Sequence, residues 1–199
     1  MIALVDYGIG NLRSVANALR YVGAEVEVTS DPAVLSNAEK IVLPGVGAFG
    51  DGMAFLAEYG LVQPLKELVS NGKFLLGICL GMQLLFEKGE EHGATAGLGL
   101  LPGRVRAFPP GDLKIPQIGW NEILPNGEST LLSGLPQPAY AYFNHGYYCD
   151  ALPEDTAASC EYGVRFCAVA ERNNLMGVQF HPEKSQQAGL QLLQNFVRL

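Results

Sequence analysis

Short apolar runs alternate with stretches of helical periodicity through the first half of the chain. Ile2–Val5 is continuously apolar, the pattern of a buried strand, and a turn over residues 6–10 follows it. Apolar residues then recur at helical spacing over residues 12–22, between a capping Asn11 and a terminating Gly23. This strand–helix order predicts parallel strands that are joined by right-handed crossovers.

The alternation continues to residue 87 and then changes character. It predicts strands Glu25–Thr29, Lys40–Leu43 and Phe74–Ile78, and helices around Gly52–Tyr59, Leu61–Asn71 and Leu80–Glu87. Short strands with Pro, Gly and Asn turns follow, at Arg104–Phe108, Ile118–Ile123, Tyr140–Phe143, Ala157–Glu161, Cys167–Glu171 and Leu175–Phe180, before an amphipathic helix over Ser185–Leu199. We expect one α/β domain over residues 1–199. Its mostly parallel, doubly wound, flavodoxin-like sheet is flanked by helices and carries an appended antiparallel part.

Composition narrows the class of protein. The net charge of −7 disfavours binding to nucleic acid or to anionic membranes, and a hydrophobic content of 48% excludes disorder. The start lacks the basic region of a secretory signal, and the apolar stretch Phe74–Phe86 is too short for a membrane helix. Four cysteines and three histidines show no metal-ligand spacing. We therefore expect a reduced, cytoplasmic protein with no metal, no other cofactor and no disulfide framework.

The sequence Gly77-Ile-Cys-Leu-Gly81 lies between a predicted strand and a predicted helix. It has the G-x-nucleophile-x-G form of the hydrolase nucleophile elbow, with sulfur in place of oxygen. A sharp turn there exposes Cys79 at the carboxyl edge of the sheet, and the amide of Leu80 points toward a developing oxyanion. The alternative is a buried structural cysteine, because most free cysteines are of that kind.

A base for Cys79 is found where another predicted strand ends. His181 and Glu183 are two residues apart, so in extended backbone their side chains leave the same face, and Pro182 forbids a helix between them. His181 then deprotonates Cys79, while Glu183 holds the imidazole tautomer and stabilises the imidazolium. The alternative is a surface histidine beside an acid that starts a helix. His145 is not the predicted base, since no acid lies two residues on.

A glycine-rich loop, Pro44–Gly50 (PGVGAFG), follows the strand Lys40–Leu43. Its three glycines satisfy the G-x-G-x-x-G fingerprint of dinucleotide-binding proteins. The loop departs from that fingerprint because it falls on the third strand and because no acidic residue ends a strand about 20 residues later. The alternative, which we expect, is a mobile loop beside the elbow that offers the Gly47 amide as a second oxyanion donor.

In combination these motifs resemble the class I, triad-type glutamine amidotransferases. The resemblance is carried by Pro44–Gly50, Leu76–Phe86 (LGICLGMQLLF) and Gly177–Ser185 (GVQFHPEKS), with further likeness at Asp6–Asn11 and Gly119–Asn121. It extends over essentially the whole chain. It implies the fold of that family and a glutaminase activity, in which glutamine and water give glutamate and ammonia through a thioester.

The resemblance also implies roles for particular residues. By this resemblance Cys79 is the nucleophile, His181 the general base and acid, and Glu183 its orienter, while Gly47 and Leu80 supply oxyanion amides. The implied substrate residues are Gln83, Tyr142, Asn144, His145, Gly146 and Tyr147. The chain departs from the family at 144 and 146, where it has Asn and Gly in place of the frequent Val and Ser.

The resemblance further implies a partner, a cyclase subunit in a heterodimer that joins the ammonia to a ribonucleotide in histidine biosynthesis. A face including Asn11, Trp120 and Lys184 would dock that cyclase. Trp120 is the only tryptophan, and tryptophan is enriched at interface hot spots. The alternative for Trp120 is an ordinary core anchor.

Three other functions stay open at this point. The first is a glutaminase for another synthase, such as one for anthranilate or guanylate. The second is a catalytically silent binding module of the same fold, and the third is a dinucleotide-binding protein. The intact Cys79, His181 and Glu183 argue against the silent module.

Overall fold

The structure, a computed structural model, describes all residues from Met1 to Leu199. The strands are β1 (Ile2–Val5), β2 (Val26–Thr29), β3 (Lys40–Gly45), β4 (Phe74–Cys79), β5 (Phe86–Gly89), β6 (Thr95–Ala96), β7 (Leu101–Ala107), β8 (Gln117–Pro125), β9 (Ala139–His145), β10 (Tyr147–Ala151), β11 (Thr156–Tyr162), β12 (Val164–Arg172) and β13 (Leu175–Val178). The helices are α1 (Leu12–Tyr21), α2 (Pro32–Asn37), α3 (Phe49–Glu58), α4 (Val62–Ser70), α5 (Leu80–Leu84) and α6 (Gln186–Arg198), with short 3-10 turns at Pro153–Asp155 and Pro182–Lys184.

The strands form one mixed sheet in the order β2-β1-β3-β4-β13-β12-β10-β7-β5-β6. The first five of these strands are parallel, and β12 begins the antiparallel part. The ribbon of β8 and β9 joins this sheet through β11. This is the expected fold class, a parallel sheet with an appended antiparallel part.

Helices cover both faces of the parallel strands. Val15 and Leu19 of α1 share one buried cluster with Leu192 and Phe196 of α6. The other cluster contains buried residues of α2, α3, α4 and α5. Strands that are buried on both faces have continuous apolar sequences, which explains the apolar runs in the first half of the chain. No helix of the chain has both the length and the apolar character that crossing a bilayer requires.

Most predicted elements are present, with bounds within three residues of those expected. The predicted helix Leu80–Glu87 is wrong in its second half, because α5 ends at Leu84 and Phe86–Gly89 forms β5, which pairs with β7. The elements α2, β6 and β10 were not predicted. Every residue from Leu84 to Phe86 is apolar and buried, a pattern that is common to a buried helix and a buried strand.

The register of the parallel strands brings three chain segments to one edge of the sheet. Gly45 at the end of β3 is the register partner of Cys79 at the end of β4. On the other side, Val178 at the end of β13 lies opposite Ile78. The glycine-rich loop and the segment that begins at Gln179 therefore flank Cys79, at the carboxyl edge where open α/β sheets place their sites.

Candidate active site

Cys79 occupies a strained turn between β4 and α5. Its backbone has φ 55° and ψ −111°, a left-handed conformation that non-glycine residues rarely adopt and that is concentrated at functional sites. Glycine is required on both sides. A Cβ at Gly81 would lie 1.8 Å from the Leu43 carbonyl oxygen, and one at Gly77 would lie 2.7 Å from the backbone of Gly81. The predicted strand-to-helix turn is present, but the prediction that it exposes Cys79 is wrong, because this residue is only 5% exposed.

His181 follows β13, and hydrogen bonds of its backbone groups hold it in place. Its amide donates to the Tyr142 carbonyl oxygen at 2.9 Å, and the Ser185 hydroxyl donates to its carbonyl oxygen at 2.7 Å. Burial lowers the pKa of His181, but hydrogen bonds and charge from Cys79 and Glu183 outweigh burial and raise that pKa to about 10. The ring is then an imidazolium at neutral pH, the partner that a thiolate nucleophile needs.

Glu183 is the acceptor for the second ring nitrogen of His181. His181 Nδ1 and Glu183 Oε1 are 3.0 Å apart, and the glutamate side chain is only 1% exposed. The backbone between them is not extended, because Pro182–Lys184 forms a 3-10 turn. The prediction that Pro182 forbids a helical turn is wrong, since the fixed φ of proline suits the first position of such a turn. The turn still directs both side chains together.

The glycine-rich loop reaches the same place as Cys79. Gly45 ends β3 and Gly50 lies inside α3, so the loop proper is residues 46–48. The three glycines thus belong to a strand, a loop and a helix, and they do not form one phosphate-binding turn. Gly47 has φ 105°, which glycine adopts without strain, and Val46 beside it is exposed. Leu80 is the first residue of α5.

A cavity of about 350 Å³ opens in front of Cys79. Its lining residues are Val46, Gly47, Cys79, Leu80, Gln83, Glu91, Pro116, Asn144, His145, Gly146 and Tyr147. The structure therefore brings together the predicted nucleophile, both predicted oxyanion residues and five of the six predicted substrate residues. Tyr142 is the exception, because it does not line this cavity.

The polar groups of the cavity are fixed by hydrogen bonds. The side-chain nitrogen of Gln83 donates to the Tyr147 carbonyl oxygen at 2.9 Å and to Gln179 Oε1 at 3.1 Å, which leaves the Gln83 oxygen available to a ligand. Cys79 Sγ lies 3.9 Å from the Asn144 carbonyl oxygen. Residue 144 thus meets the nucleophile through its backbone, so its departure from the family side chain leaves this contact unchanged.

Glu91 is a lining residue that the sequence did not single out. It is the one carboxylate in the cavity, and its Oε2 accepts a hydrogen bond from the Phe49 amide at 2.7 Å. Phe49 is the first residue of α3, one position after the loop of residues 46–48. Nothing in the local sequence marks Glu91, because it lies in a polar turn beside Glu90 and His92.

His145 is buried behind the cavity, among the rings of Phe108, Phe143 and Phe166. Its Nδ1 is 2.8 Å from the Tyr147 carbonyl oxygen, so Nδ1 carries the hydrogen. Burial lowers the pKa of His145 to about 4, which keeps the ring neutral at physiological pH. A neutral ring that is committed to a backbone carbonyl supports the cavity wall.

An aromatic patch lies on the exposed face of the β8–β9 ribbon. Trp120 is the register partner of Tyr142, their ring centroids are 6.3 Å apart, and the indole is 46% exposed. Lys184 Nζ lies 5.6 Å from the centroid of the Tyr142 ring. Tyr142 in turn lies 6.4 Å from the His181 ring. This cluster of exposed Trp120 and Lys184 with half-buried Tyr142, which we call the docking patch after the predicted docking face, therefore borders His181, and Trp120 is not a core anchor.

Asn11 stands at the start of α1, which contacts the turn Pro182–Lys184. Its side chain accepts a hydrogen bond from the Ser14 amide at 3.3 Å, the predicted helix cap. It is exposed, and the helix that it caps lines a surface groove together with Glu183 through Ser14 and Asn17.

Comparison with known proteins identifies the family. Residues 3–199 match the model of "Glutamine amidotransferase class-I". The chain is 52% identical over 199 residues to the imidazole glycerol phosphate synthase subunit HisH of Symbiobacterium thermophilum, covering 100% of this chain and 93% of that one. It is 50% identical over 198 residues to the same subunit of Chlorobium luteolum, covering 98% of each.

Solved structures share the fold at lower sequence identity. A glutamine amidotransferase superposes with a TM-score of 0.78 at 19% identity, covering 100% of this chain and 98% of that one. The structure of PurLQS from Thermotoga maritima superposes with a TM-score of 0.77 at 20% identity, covering 99% of this chain and 97% of that one. At such identities the likeness concerns the fold alone.

Proposed function

Because the chain belongs to the class I glutamine amidotransferase family, we propose that Cys79, His181 and Glu183 are its catalytic triad. The chain is a glutaminase, which hydrolyses glutamine to glutamate and ammonia and thereby serves imidazole glycerol phosphate synthesis in histidine biosynthesis. The observation that carries the triad is the strained Cys79 elbow, flanked by a histidine whose ring is held 3.0 Å from a buried carboxylate.

The geometry supports a two-step reaction. The Cys79 thiolate attacks the amide carbon of glutamine, and a carbon–sulfur bond forms. The His181 imidazolium gives its proton to the amide nitrogen, which leaves as ammonia. A water molecule then attacks the thioester while His181 takes a proton from it, and the carbon–sulfur bond breaks to release glutamate. Glu183 holds the ring through both proton transfers.

Gly47 and Leu80 stabilise the oxyanion of both tetrahedral intermediates. Leu80 begins a helix directly after the nucleophile, where backbone amides lack intrahelical partners. Gly47 lies across the cavity on the loop of residues 46–48. Donors that are placed in advance around the reacting carbonyl stabilise the charge that develops only in the transition state.

Substrate glutamine occupies the 350 Å³ cavity with its side-chain amide at Cys79. Gln83, Asn144, His145, Gly146 and Tyr147 form the walls, and the backbone of the last four offers donors and acceptors to a zwitterion. Glu91 provides the negative charge that a substrate ammonium group requires. Tyr142 does not line this cavity and belongs to the docking patch.

Glu91→Gln tests the assigned ammonium contact. We expect the KM for glutamine to rise by roughly 10- to 100-fold, because a charge-assisted hydrogen bond is lost, while kcat changes much less. Glu90→Gln is the matched control, since Glu90 pairs with Arg104 at the surface and does not line the cavity. An unchanged KM in Glu91→Gln would remove Glu91 from the binding site.

The partner is a cyclase subunit, and we assign its contact to the docking patch and to Asn11. The patch is exposed and aromatic, it carries one cation, and it borders His181, where ammonia leaves. Tryptophan and tyrosine are the residues that most often anchor protein interfaces. A heterodimer docked at this patch receives ammonia beside the site that produces it.

The experiment that tests the function supplies nitrogen in two forms. The chain is mixed with the cyclase and its ribonucleotide, and imidazole glycerol phosphate is measured with glutamine or with an ammonium salt. We expect glutamine to support product formation only when this chain is present, whereas the ammonium salt supports it without the chain. Glutamine-dependent product in the absence of the chain would overturn the assignment, and so would a chain that serves only an anthranilate or guanylate synthase.

Trp120→Ala tests the docking patch. Loss of a central interface tryptophan typically costs ~2 kcal/mol or more, so we expect affinity for the cyclase to fall at least roughly 30-fold while basal glutamine hydrolysis persists. Leu152→Ala, at an exposed position outside the patch, should leave affinity unchanged. Tryptophan fluorescence reports the same contact. Binding of the cyclase should change the emission of the wild type in a way that is absent from Trp120→Phe. Equal affinities of wild type and Trp120→Ala would place the interface elsewhere.

A further inference from the structure

Tyr7 is a fully buried tyrosine whose hydroxyl has one specific partner. It follows β1 at the carboxyl edge of the sheet and has no exposed surface. Its hydroxyl donates to the Pro44 carbonyl oxygen at 2.7 Å. A Cβ built on Gly45 would lie 2.5 Å from the same hydroxyl oxygen, so the phenol fills the space that a side chain at residue 45 would need. The tyrosine therefore supports the root of the glycine-rich loop.

This contact lies on the strand beside Cys79. Gly45 is the register partner of Cys79, and Pro44 is the register partner of Ile78. Burial, and secondarily the charge of Cys79, raise the pKa of Tyr7 far above its ordinary value. The hydroxyl stays protonated at every physiological pH, so it remains a hydrogen-bond donor whatever the charge of the cysteine.

We propose that Tyr7 is a positioning residue for the oxyanion loop, a role that rests on the proposed function of Gly47. The Tyr7 hydroxyl fixes the Pro44 carbonyl group and so confines movement of the loop to residues 46–48. Without the hydroxyl the Pro44 carbonyl group loses this buried hydrogen bond, and the peptides that follow are held less firmly. The Gly47 amide then loses its alignment with the oxyanion.

The competing explanation is that Tyr7 serves only as core packing. Its ring belongs to the apolar cluster beneath α3 and α5, and packing alone would account for its burial. Packing does not need the hydroxyl, however. Tyr7→Phe keeps the ring and removes only the donor, so it separates the two explanations.

The test measures Tyr7→Phe in the complete complex with the cyclase and its ribonucleotide ligand. We expect kcat for glutamine hydrolysis to fall roughly tenfold with little change in KM, because an oxyanion donor acts on the transition state. Complete loss of one such donor lowers kcat by ~10²–10³-fold, and here the donor is misaligned and not removed. Affinity for an aldehyde analogue of glutamine, which forms a tetrahedral adduct with Cys79, should fall by the same factor. Tyr162→Phe is the matched control, because its hydroxyl also donates to a backbone carbonyl, that of Lys114, which is outside the loop of residues 46–48.

The outcomes are distinguishable. If Tyr7→Phe lowers only the thermal unfolding midpoint and keeps wild-type kcat and aldehyde affinity, Tyr7 is packing and the inference is wrong. If KM rises while kcat is kept, Tyr7 shapes the substrate cavity and the inference is again wrong. If the wild-type complex itself releases no glutamate, the proposed function fails, and the role of Tyr7, which rests on it, is overturned with it.

Discussion

Cys79→Ala should lower glutamine hydrolysis at least ~10³-fold, because removal of a triad nucleophile abolishes the covalent route and leaves only binding and the oxyanion hole. The fold should survive, since alanine adds no atoms to the site. Affinity for the cyclase should stay near that of the wild type, because Cys79 lies in the cavity and not on the docking patch. The measurement is glutamate release by the complex, with partner affinity measured on the same preparation.

The other three cysteines provide matched controls. Burial raises the pKa of Cys160 to about 11 and that of Cys167 to about 12, and it raises the pKa of Cys149 well above its ordinary value. They remain thiols at neutral pH, and only the thiolate is a nucleophile. Alanine at any of them should therefore keep activity, apart from effects on stability. If Cys149→Ala were inactive and Cys79→Ala remained active, the elbow would not be the reaction centre.

Glutaminase turnover of the isolated chain should be low and should rise ~10²-fold or more when the cyclase binds with its ligand, which is the scale of one oxyanion donor. The physical reason lies in residues 46–48. Val46 is exposed, and Gly47 adopts φ 105° with no atom within 4 Å of the place where its Cβ would be. The peptides of this loop therefore rotate at little steric cost. An isolated chain that already turns over at the rate of the liganded complex would end this idea.

Gly47→Ala isolates the loop from the interface. Alanine at φ 105° is strained, so it shifts the backbone of the loop, although the methyl group itself meets nothing. We expect stimulated activity to fall more than affinity for the cyclase does. Equal losses of both would mean that residue 47 shapes the interface and not the oxyanion hole.

The elbow could be predicted because its physics is local. A nucleophile with φ 55° needs small neighbours, and Gly77 and Gly81 supply them within a segment of five residues, so the sequence alone indicates the turn. The pairing of His181 with Glu183 is local as well, although the backbone between them forms a 3-10 turn where extended chain is predicted. The doubly wound sheet followed from the alternation of buried strands and amphipathic helices.

Contacts between distant segments could not be predicted. Glu91 enters the cavity because β5 and β6 return the chain to the first turn of α3, and both strands escaped prediction. Tyr7 meets the Pro44 carbonyl group across 37 residues, and no periodicity encodes such a bond. The resemblance implies Tyr142 as a substrate residue, yet Tyr142 does not line the cavity, and alternation along β9 turns its side chain to the opposite face from His145.

The close approach at Gly81 has a consequence for how this chain tolerates mutation. Because a Cβ there would lie 1.8 Å from the Leu43 carbonyl oxygen, α5 and the end of β3 are separated by the width of a bare backbone. The loop of residues 46–48 leaves β3 two residues after Leu43, so Cys79 and Gly47, the proposed nucleophile and second amide donor, are held to a common spacing. Any side chain at residue 81 would push α5 away from the end of β3, and with it Cys79 away from Gly47. Position 81 is therefore a rigid spacer that can carry no side chain while the site remains assembled.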